Sequence, residues 1–303
     1  MAFTAKDVQA LREKTGCGMM DCKKALVECN GDMDAAVDYL REKGLASQAK
    51  KASRIAAEGT VCAISENGVG VAVEINAETD FVAGGDEFKE LALKVAKVIA
   101  EQNPADIDAL NACSANGQTV EEMVQELFLK VRENIKIRRF VRFEGKVVNY
   151  VHAGGKIGVL VKFDGDVAAD NADFIAMGKN VAMQIAAMNP GYLDEASVPV
   201  EVIEKEKEIL IAQMKEDPKM ANKPDAVLGK IVEGKIGKFY KENCLVEQAF
   251  VMDGDLTVGK YVANVAKELG ADIKIADFVR MEKGEGIEKR VDDFAAEVAS
   301  MVK

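Results

Sequence analysis

The spacing of apolar residues at the start of the chain is helical and predicts three short helices. Thr4 is a suitable N-cap for the first helix, which is expected to end at Gly16. The second helix is expected from about Gly18 to Gly31, where glycine takes the left-handed conformation that stops a helix. The third is expected to end at Gly44. The pattern predicts a compact three-helix module, followed by a helical linker rich in lysine and alanine.

A longer pattern occurs twice along the chain. The segment that begins at Glu58 has a counterpart that begins at Glu144, and both open with Glu-Gly-Xaa-Val. Each copy then reads as strand, glycine turn, strand, loop and helix, with the helices expected at 88–100 and 174–186. A repeated pattern of this kind predicts an α+β fold with a duplicated core.

The two copies differ in the loop that precedes the helix. In the first copy this loop contains Phe81 and Val82, whereas the corresponding loop at 164–173 contains no aromatic residue. A duplicated fold therefore does not require Phe81. We expect Phe81 to be largely exposed in the free protein and to serve a contact outside the chain.

The composition changes after the second copy. Two amphipathic helices with narrow apolar seams are predicted between residues 191 and 242. The turn between them contains Pro218 and Pro224, which break helices, so an antiparallel hairpin is expected. The remaining predicted elements are a strand at 248–252, a helix at 257–269 and a strand at 273–281.

The predicted fold class is α+β, and the chain is expected to divide into six segments. They are a three-helix domain (1–46), a helical linker (47–57), the first half of the core (58–143), the second half of the core (144–190 with 243–281), a helical hairpin or coiled coil (191–242) and a C-terminal module with an amphipathic helix (282–303).

Charge and composition narrow the function classes. The 303 residues include 40 Lys and Arg against 51 Asp and Glu, and the net charge of −11 opposes loose binding to nucleic acid or anionic membranes. The most basic stretch, 136–142, alternates apolar and basic residues and is predicted to be a half-buried strand with a solvated basic face. No secretory signal and no apolar run of about 18 residues are recognised. A cytoplasmic protein is therefore expected.

The sequence predicts no cofactor and no metal site. The six cysteines form no Cys-Xaa-Xaa-Cys pair and His152 is the single histidine, which argues against structural zinc. The glycines at 68–70 and 154–156 lie between predicted strands, as is typical of hairpin turns rather than phosphate loops. The acidic stretch 253–255 lacks the closing glutamate of a calcium loop, because Asn264 stands at the twelfth position.

Two functional hypotheses stay open at the level of residues, an acid–base enzyme and a scaffold. Asp80 and His152 are candidates for acid–base catalysis, but acids in a loop are usually solvated, and His152 has no serine or cysteine partner in a motif. A scaffold that binds helical partners through residues 1–45 would leave Phe81 and the duplicated core unexplained. The residues therefore favour a binding protein over an enzyme.

Five stretches spread over essentially the whole chain closely resemble the bacterial translation elongation factor Ts family. They are residues 11–26, 79–82, 134–139, 232–235 and 284–289. The resemblance implies a ubiquitin-associated-like N-terminal domain, a core of two similar subdomains, a protruding helical hairpin and a C-terminal helical module. It also implies guanine-nucleotide exchange on the GTPase elongation factor Tu, without enzymatic catalysis by this chain.

The same resemblance implies specific contact residues. Thr79, Asp80, Phe81 and Val82 match the loop associated with dislodging magnesium from the GTPase, with Phe81 entering an apolar gap. The C-terminal helix matches a module that docks on the same partner, and the hairpin receives no role. The implied partner is elongation factor Tu in its GDP form, without direct nucleic-acid or membrane contact, and a homodimer or a heterotetramer with the partner stays open. The other implied interface residues are Arg12, Met19, Met20, Lys23 and His152.

Overall fold

The computed structural model describes residues 3–216 and 225–288, apart from the side chains of residues 45, 46, 49, 225 and 226. The predicted proline turn of the hairpin and the predicted C-terminal helix after residue 288 lie outside the described residues. The predicted mixture of helices and strands is confirmed. Within the described ranges, no helix is both long and apolar enough to cross a membrane.

Three helices open the chain: α1 (Ala5–Thr15), α2 (Met19–Glu28) and α3 (Met33–Lys51). Thr4 caps α1, and Gly16 ends it with a left-handed φ of 67°, as the sequence predicts. The three helices pack around a shared apolar cluster that includes Leu11, Leu26 and Leu40. They therefore form one packed unit with its own core.

The prediction that the third helix ends at Gly44 is wrong. The helix continues to Lys51, whereas residues 52–57 are not helical, so only residues 47–51 of the predicted helical linker are helical and they belong to α3. A β-carbon at position 44 would lie 2.1 Å from Cδ2 of Leu129 on a later helix. The glycine is there because the two helices approach closely, and it does not mark a helix end.

The first half of the core is a three-stranded sheet with helices on one face. Strand β2 (Val69–Ala77) is central, with β1 (Glu58–Glu66) antiparallel on one side and β5 (Lys136–Glu144) antiparallel on the other. Side chains alternate along β2, so that Val73 and Ile75 face α5 and Ala72 faces the second sheet. The elements are β1 (Glu58–Glu66), β2 (Val69–Ala77), α4 (Asp80–Gly84), α5 (Asp86–Gln102), α6 (Ile107–Ala112), β3 (Ser114–Ala115), β4 (Gln118–Thr119), α7 (Val120–Val131) and β5 (Lys136–Glu144).

The second half contains a sheet of the same kind, in which β7 (Ile157–Gly165) lies between β10 (Ile273–Glu282) and β6 (Lys146–His152). The predicted strand at 248–252 is shorter than expected, because a turn begins at Val251. The Val251 N–H donates to Gln184 Oε1 at 2.8 Å. The short strand β9 after that turn was not predicted. The elements are β6 (Lys146–His152), β7 (Ile157–Gly165), α8 (Ala172–Met188), α9 (Val200–Glu216), α10 (Asp225–Asn243), β8 (Ala249–Phe250), β9 (Asp253–Thr257), α11 (Val258–Leu269) and β10 (Ile273–Glu282).

The helices α9 and α10 share a separate apolar cluster. Leu210 and Met214 of α9 belong to it together with Leu228, Val232 and Ile236 of α10. At the base, backbone hydrogen bonds join Tyr192 to residues 243 and 245, so the start of α9 and the end of α10 leave the core side by side. This geometry is that of an antiparallel helix pair.

The two sheets pack face to face. A small apolar cluster between them includes Val61, Val147 and Leu160. Hydrogen bonds also cross between β1 and β6, from Asn149 Nδ2 to the Ala63 carbonyl at 2.7 Å and from Ser65 Oγ to the Val147 carbonyl at 2.5 Å. With α5 and α8 on the outer faces, the core has four layers in the order helix, sheet, sheet, helix.

Candidate docking site

Phe81 lies on a single helical turn, and this corrects the expectation of a loop. We call residues 79–84 the Phe81 turn. Thr79 is the N-cap of α4, and its hydroxyl accepts from the Val82 N–H at 3.4 Å. Ala83 is buried in the core and Val82 packs partly against it, whereas Phe81 is 89% exposed. The prediction that Phe81 is largely exposed in the free protein is confirmed.

An apolar recess of about 310 Å³ lies beside the exposed ring. Val82, Phe88, Leu127 and Val131 contribute to its walls, and Phe81 forms part of its rim. An apolar ring next to an apolar recess presents a continuous surface that favours contact with another apolar surface.

The Phe81 turn is held by polar contacts to the segment between α7 and β5. The Thr79 N–H donates to Glu133 Oε2 at 3.0 Å, and the Thr79 hydroxyl donates to Glu133 Oε1 at 2.7 Å. In the opposite direction, the Asn134 N–H donates to Glu78 Oε1 at 2.7 Å. Arg54 pairs with the same Glu78 carboxylate at 3.3 Å. The turn is therefore fixed at its base by reciprocal hydrogen bonds.

A second group of predicted contact residues lies on α2. Lys23 follows Met19 by four positions and Met20 by three, so the three side chains lie on one face of the helix. We call this face the α2 surface. All three side chains are exposed, Met20 to 74%. Arg12 is exposed on the neighbouring helix α1. An ion pair of 2.7 Å between Asp21 and Arg132 ties α2 to the end of α7.

His152 occupies the last position of β6, before a tight turn at residues 153–155. Its side chain is exposed, and Nδ1 lies 3.0 Å from the Tyr150 hydroxyl. Gly155 has a φ of 98°, and a β-carbon there would lie 1.9 Å from Thr60 Oγ1. The glycine lets the His152 turn pack directly against β1.

Several of these features meet at one end of β1. Glu58 pairs with Ala77, which lies two residues before the Phe81 turn, and the His152 turn packs on Thr60. The turn after β10 reaches the same end, because a β-carbon on Gly284 would lie 2.3 Å from the Ala57 carbonyl oxygen. The structure therefore brings the Phe81 turn, the His152 turn and the start of the C-terminal segment to one region.

A buried carboxylate holds that region together. Glu74 on β2 is fully buried and accepts from Arg138 at 3.0 Å, from Arg139 at 2.6 Å and from the Gly284 N–H at 2.7 Å. Burial alone would raise the pKa of Glu74, but the hydrogen bonds from Gly284, Arg139, Asn76 and Arg138 outweigh it and hold the pKa below its usual value. The carboxylate is therefore charged at neutral pH.

The basic strand differs from its prediction. Residues 136–144 do form a strand, but Arg138 and Arg139 bind the buried Glu74 and do not form a solvated face. Neither Glu74 nor Glu133 was singled out from the sequence. The signal for both was weak, because each is one acid among many and its partners are distant along the chain.

Acidic and sulfur-containing side chains of the described residues are not gathered into a metal site. Within 3–216 and 225–288, no group of three or more His, Cys, Asp or Glu side chains is placed to hold a metal ion. All six thiols are free, and burial raises the pKa of Cys62 to about 11, so its thiolate is rare at neutral pH. Asp80 is exposed on the first turn of α4.

The fold and this surface define a class of protein. It is an α+β protein that displays apolar side chains from well-supported turns and helices, which is typical of proteins that bind other proteins. Comparison with known proteins then gives the family. A profile of the family described as Elongation factor TS matches residues 78–285.

Full-length relatives carry the same name. Elongation factor Ts of Syntrophotalea carbinolica is 50% identical over 308 residues, covering 100% of both chains. That of Magnetococcus marinus is 46% identical over 308 residues, again with 100% of both chains. That of Clostridium perfringens is 49% identical over 305 residues and 99% of both chains. The chain belongs to the elongation factor Ts family.

Proposed function

We propose that this protein is a guanine-nucleotide exchange factor that acts on elongation factor Tu in its GDP form. It binds the GTPase, disturbs the magnesium site and promotes release of GDP so that GTP can rebind. The observation that carries the proposal is Phe81, an aromatic side chain that is 89% exposed on a turn anchored at both ends. Membership of the elongation factor Ts family supports it.

The chemistry of magnesium explains why a small displacement in the partner is effective. Mg²⁺ requires near-octahedral oxygen ligands and bridges protein to phosphate, so a shift of one ligand loop weakens the nucleotide strongly. In the proposal, Phe81 enters an apolar gap of the GTPase while Thr79, Asp80 and Val82 complete the contact. The side chain acts as a wedge and takes no part in covalent chemistry.

Magnitudes show that Phe81 does not act alone. Burial of a phenylalanine side chain contributes about 1.5–3 kcal/mol, which corresponds to about a ten- to hundredfold change at about 1.4 kcal/mol per decade. Any larger acceleration requires a wider interface. We assign the other contacts to Arg12, the α2 surface and His152, which are all exposed.

The test is release of a fluorescent GDP analogue from the GTPase, followed by stopped flow with the factor at saturating concentration. Phe81→Ala is expected to slow release by about ten- to hundredfold without abolishing the complex. Leu93→Ala is a matched control, because Leu93 is also an exposed apolar side chain but lies on α5, outside the predicted contacts. If saturating Phe81→Ala releases the GDP analogue from the GTPase at the wild-type rate, the proposed role of Phe81 is refuted.

A further inference from the structure

The three residues Arg132, Glu133 and Asn134, which we call the brace, connect α7 to β5 and contact several parts of the proposed interface. Glu133 is bound by Thr79 through both its N–H and its hydroxyl, at 3.0 and 2.7 Å. These are charge-assisted hydrogen bonds to two different oxygens of one carboxylate, so they fix direction as well as distance. Thr79 and Glu133 are 54 positions apart along the chain.

The hydroxyl of Thr79 has a double role that depends on Glu133. A hydroxyl has one proton to donate and lone pairs with which to accept. Because the proton of Thr79 points to Glu133 Oε1, a lone pair is left to accept from the Val82 N–H as the N-cap of α4. Glu133 therefore orients the cap of the helical turn that carries Phe81.

The rest of the brace links this turn to other elements. Asn134 is buried, its N–H binds Glu78, and its side-chain amide donates to the carbonyls of Ala52 and Arg54 after α3. Its position therefore depends on both the Phe81 turn and the segment that follows the three-helix unit.

Arg132 has an unusual backbone conformation for a residue with a side chain. Its φ is 59°, in the left-handed region, where it ends α7. In this conformation its side chain reaches Asp21 on α2 at 2.7 Å, and its carbonyl accepts from Lys51 at the end of α3. Strained backbone of this kind persists where surrounding contacts require it. The brace thus touches the base of the Phe81 turn and the helix that carries the α2 surface.

We infer that Glu133 is a positioning residue for nucleotide exchange: it holds the Phe81 turn in its docking orientation, while Arg132 keeps the α2 surface in register with it. This inference rests on the proposed function. Glu133 itself is set back at the base of the turn, and it acts through Thr79 and α4. Preorganisation of this kind lowers the cost of ordering the turn on binding.

The first test needs no partner and therefore does not depend on the proposed function. The chain contains no tryptophan, so Phe81→Trp introduces a single indole whose time-resolved fluorescence anisotropy reports local motion of the turn. In the Phe81→Trp protein, the additional change Glu133→Ala is expected to increase the fraction of the anisotropy that is lost through fast local motion by at least twofold. Unchanged local motion would overturn the inference.

Two further variants separate positioning from general destabilisation. Glu126→Ala is the matched control, because this exposed carboxylate on α7 pairs with Lys130 and is remote from Thr79 in the hydrogen-bond network. It should leave the indole motion unchanged. Glu133→Gln retains one acceptor oxygen, so it should give an intermediate increase. Thermal unfolding of each variant verifies that the chain is folded at the temperature of the measurement.

The second test uses the complete factor and the GTPase. At saturating concentration, Glu133→Ala should slow GDP release by about three- to tenfold. When Phe81→Ala is already present, Glu133→Ala should cause no further slowing, because both changes act through the Phe81 side chain. Full additivity of the two variants would contradict a role through Phe81. If the wild-type factor does not accelerate release of GDP from the GTPase, the proposed function fails. The anisotropy result alone then decides whether Glu133 positions the Phe81 turn.

Discussion

Phe81 is informative because of the way it is displayed. Single exposed apolar residues are common on protein surfaces, so exposure alone carries little weight. Here the residues on both sides are fixed, since Thr79 is hydrogen bonded to Glu133 and Ala83 is buried in the core. A side chain that contributes little to the free fold, on a support that is well packed, is what the proposed contact with a partner requires.

Phe81 and the nearby Phe88 should differ in their contribution to the free energy of unfolding. Phe81→Ala should change the free energy of unfolding by no more than about 0.5 kcal/mol, because the ring is exposed. Phe88→Ala should cost about 3–5 kcal/mol, because that ring is 1% exposed in the core beneath the first sheet. Urea denaturation of both variants measures the difference. A large loss for Phe81→Ala would mean that the ring supports the fold.

Glu74 shows the opposite situation, a charged group fully enclosed by its partners. Glu74→Gln would keep one acceptor oxygen but remove the negative charge and the second acceptor that the two arginines and the Gly284 N–H share. Because Arg138 and Arg139 are partly exposed, water compensates in part. Glu74→Gln is therefore expected to lower the free energy of unfolding at pH 7 by about 2–3 kcal/mol.

The pH dependence of Glu74 follows from the direction of its pKa shift. Its folded pKa lies below the unfolded value of 4.5, so the unfolded state binds more protons between the two pKa values. The stabilisation is complete above pH 4.5 and is lost as the pH falls through the folded pKa. Wild type and Glu74→Gln should converge in stability in acid, as urea denaturation at several pH values would show. Glu144→Gln, which removes an exposed partner of Arg142, should change stability much less at pH 7.

At the scale of elements, local signals were sufficient where a helix or strand is decided by its own residues. Thr4 and Gly16 bound α1 as expected, and α11 (Val258–Leu269), capped by Thr257, matches the helix predicted at 257–269. Gly44 was misinterpreted because the reason for it lies 85 positions away, in the approach of Leu129. Sequence spacing does not reveal such contacts.

In the candidate docking site, too, contacts between residues that are distant along the chain could not be predicted. The exposure of Phe81 was predicted from the comparison of two copies within the chain, but the contact between Thr79 and Glu133 was not, since it joins residues 54 positions apart. Likewise, alternation predicted a strand at the basic stretch but not its pairing with β2, and that pairing places Arg138 and Arg139 on Glu74. The residues proposed to touch the partner were recognisable from the sequence, and the residues that hold them in place were not.

A pair of helical glycines tests this account of Gly44. Gly44→Ala should destabilise by about 1 kcal/mol, since overpacking costs about 1–3 kcal/mol and improved helix propensity returns up to about 1. Gly229→Ala on α10 should stabilise by about 0.5–1 kcal/mol, because a β-carbon there meets nothing within 4 Å. Thermal unfolding of both variants gives the two signs. Stabilisation by Gly44→Ala would show that Leu129 moves aside without cost.

At the scale of the whole molecule, the packing of two sheets sets the spacing of the groups proposed to contact the partner. The inter-sheet cluster that contains Leu160 keeps the His152 turn against β1, and β1 in turn pairs with the strand that leads to the Phe81 turn. The brace adds the α2 surface to the same arrangement. A partner that engages all three groups therefore binds a preorganised surface, and the free energy of that binding can be used to distort the partner.

Reciprocity makes this use of binding energy measurable. If the factor weakens GDP binding to the GTPase by some ratio, GDP must weaken binding of the factor by the same ratio. We expect Phe81→Ala to reduce that ratio by about ten- to hundredfold, because the variant loses a contact made only in the distorted partner. Titrations of the factor against the nucleotide-free and the GDP-bound GTPase give one ratio, and titrations of GDP with and without the factor give the other. An undiminished ratio for Phe81→Ala, equal to that of Leu93→Ala, would mean that the exposed ring contributes to docking but does not drive release of the nucleotide.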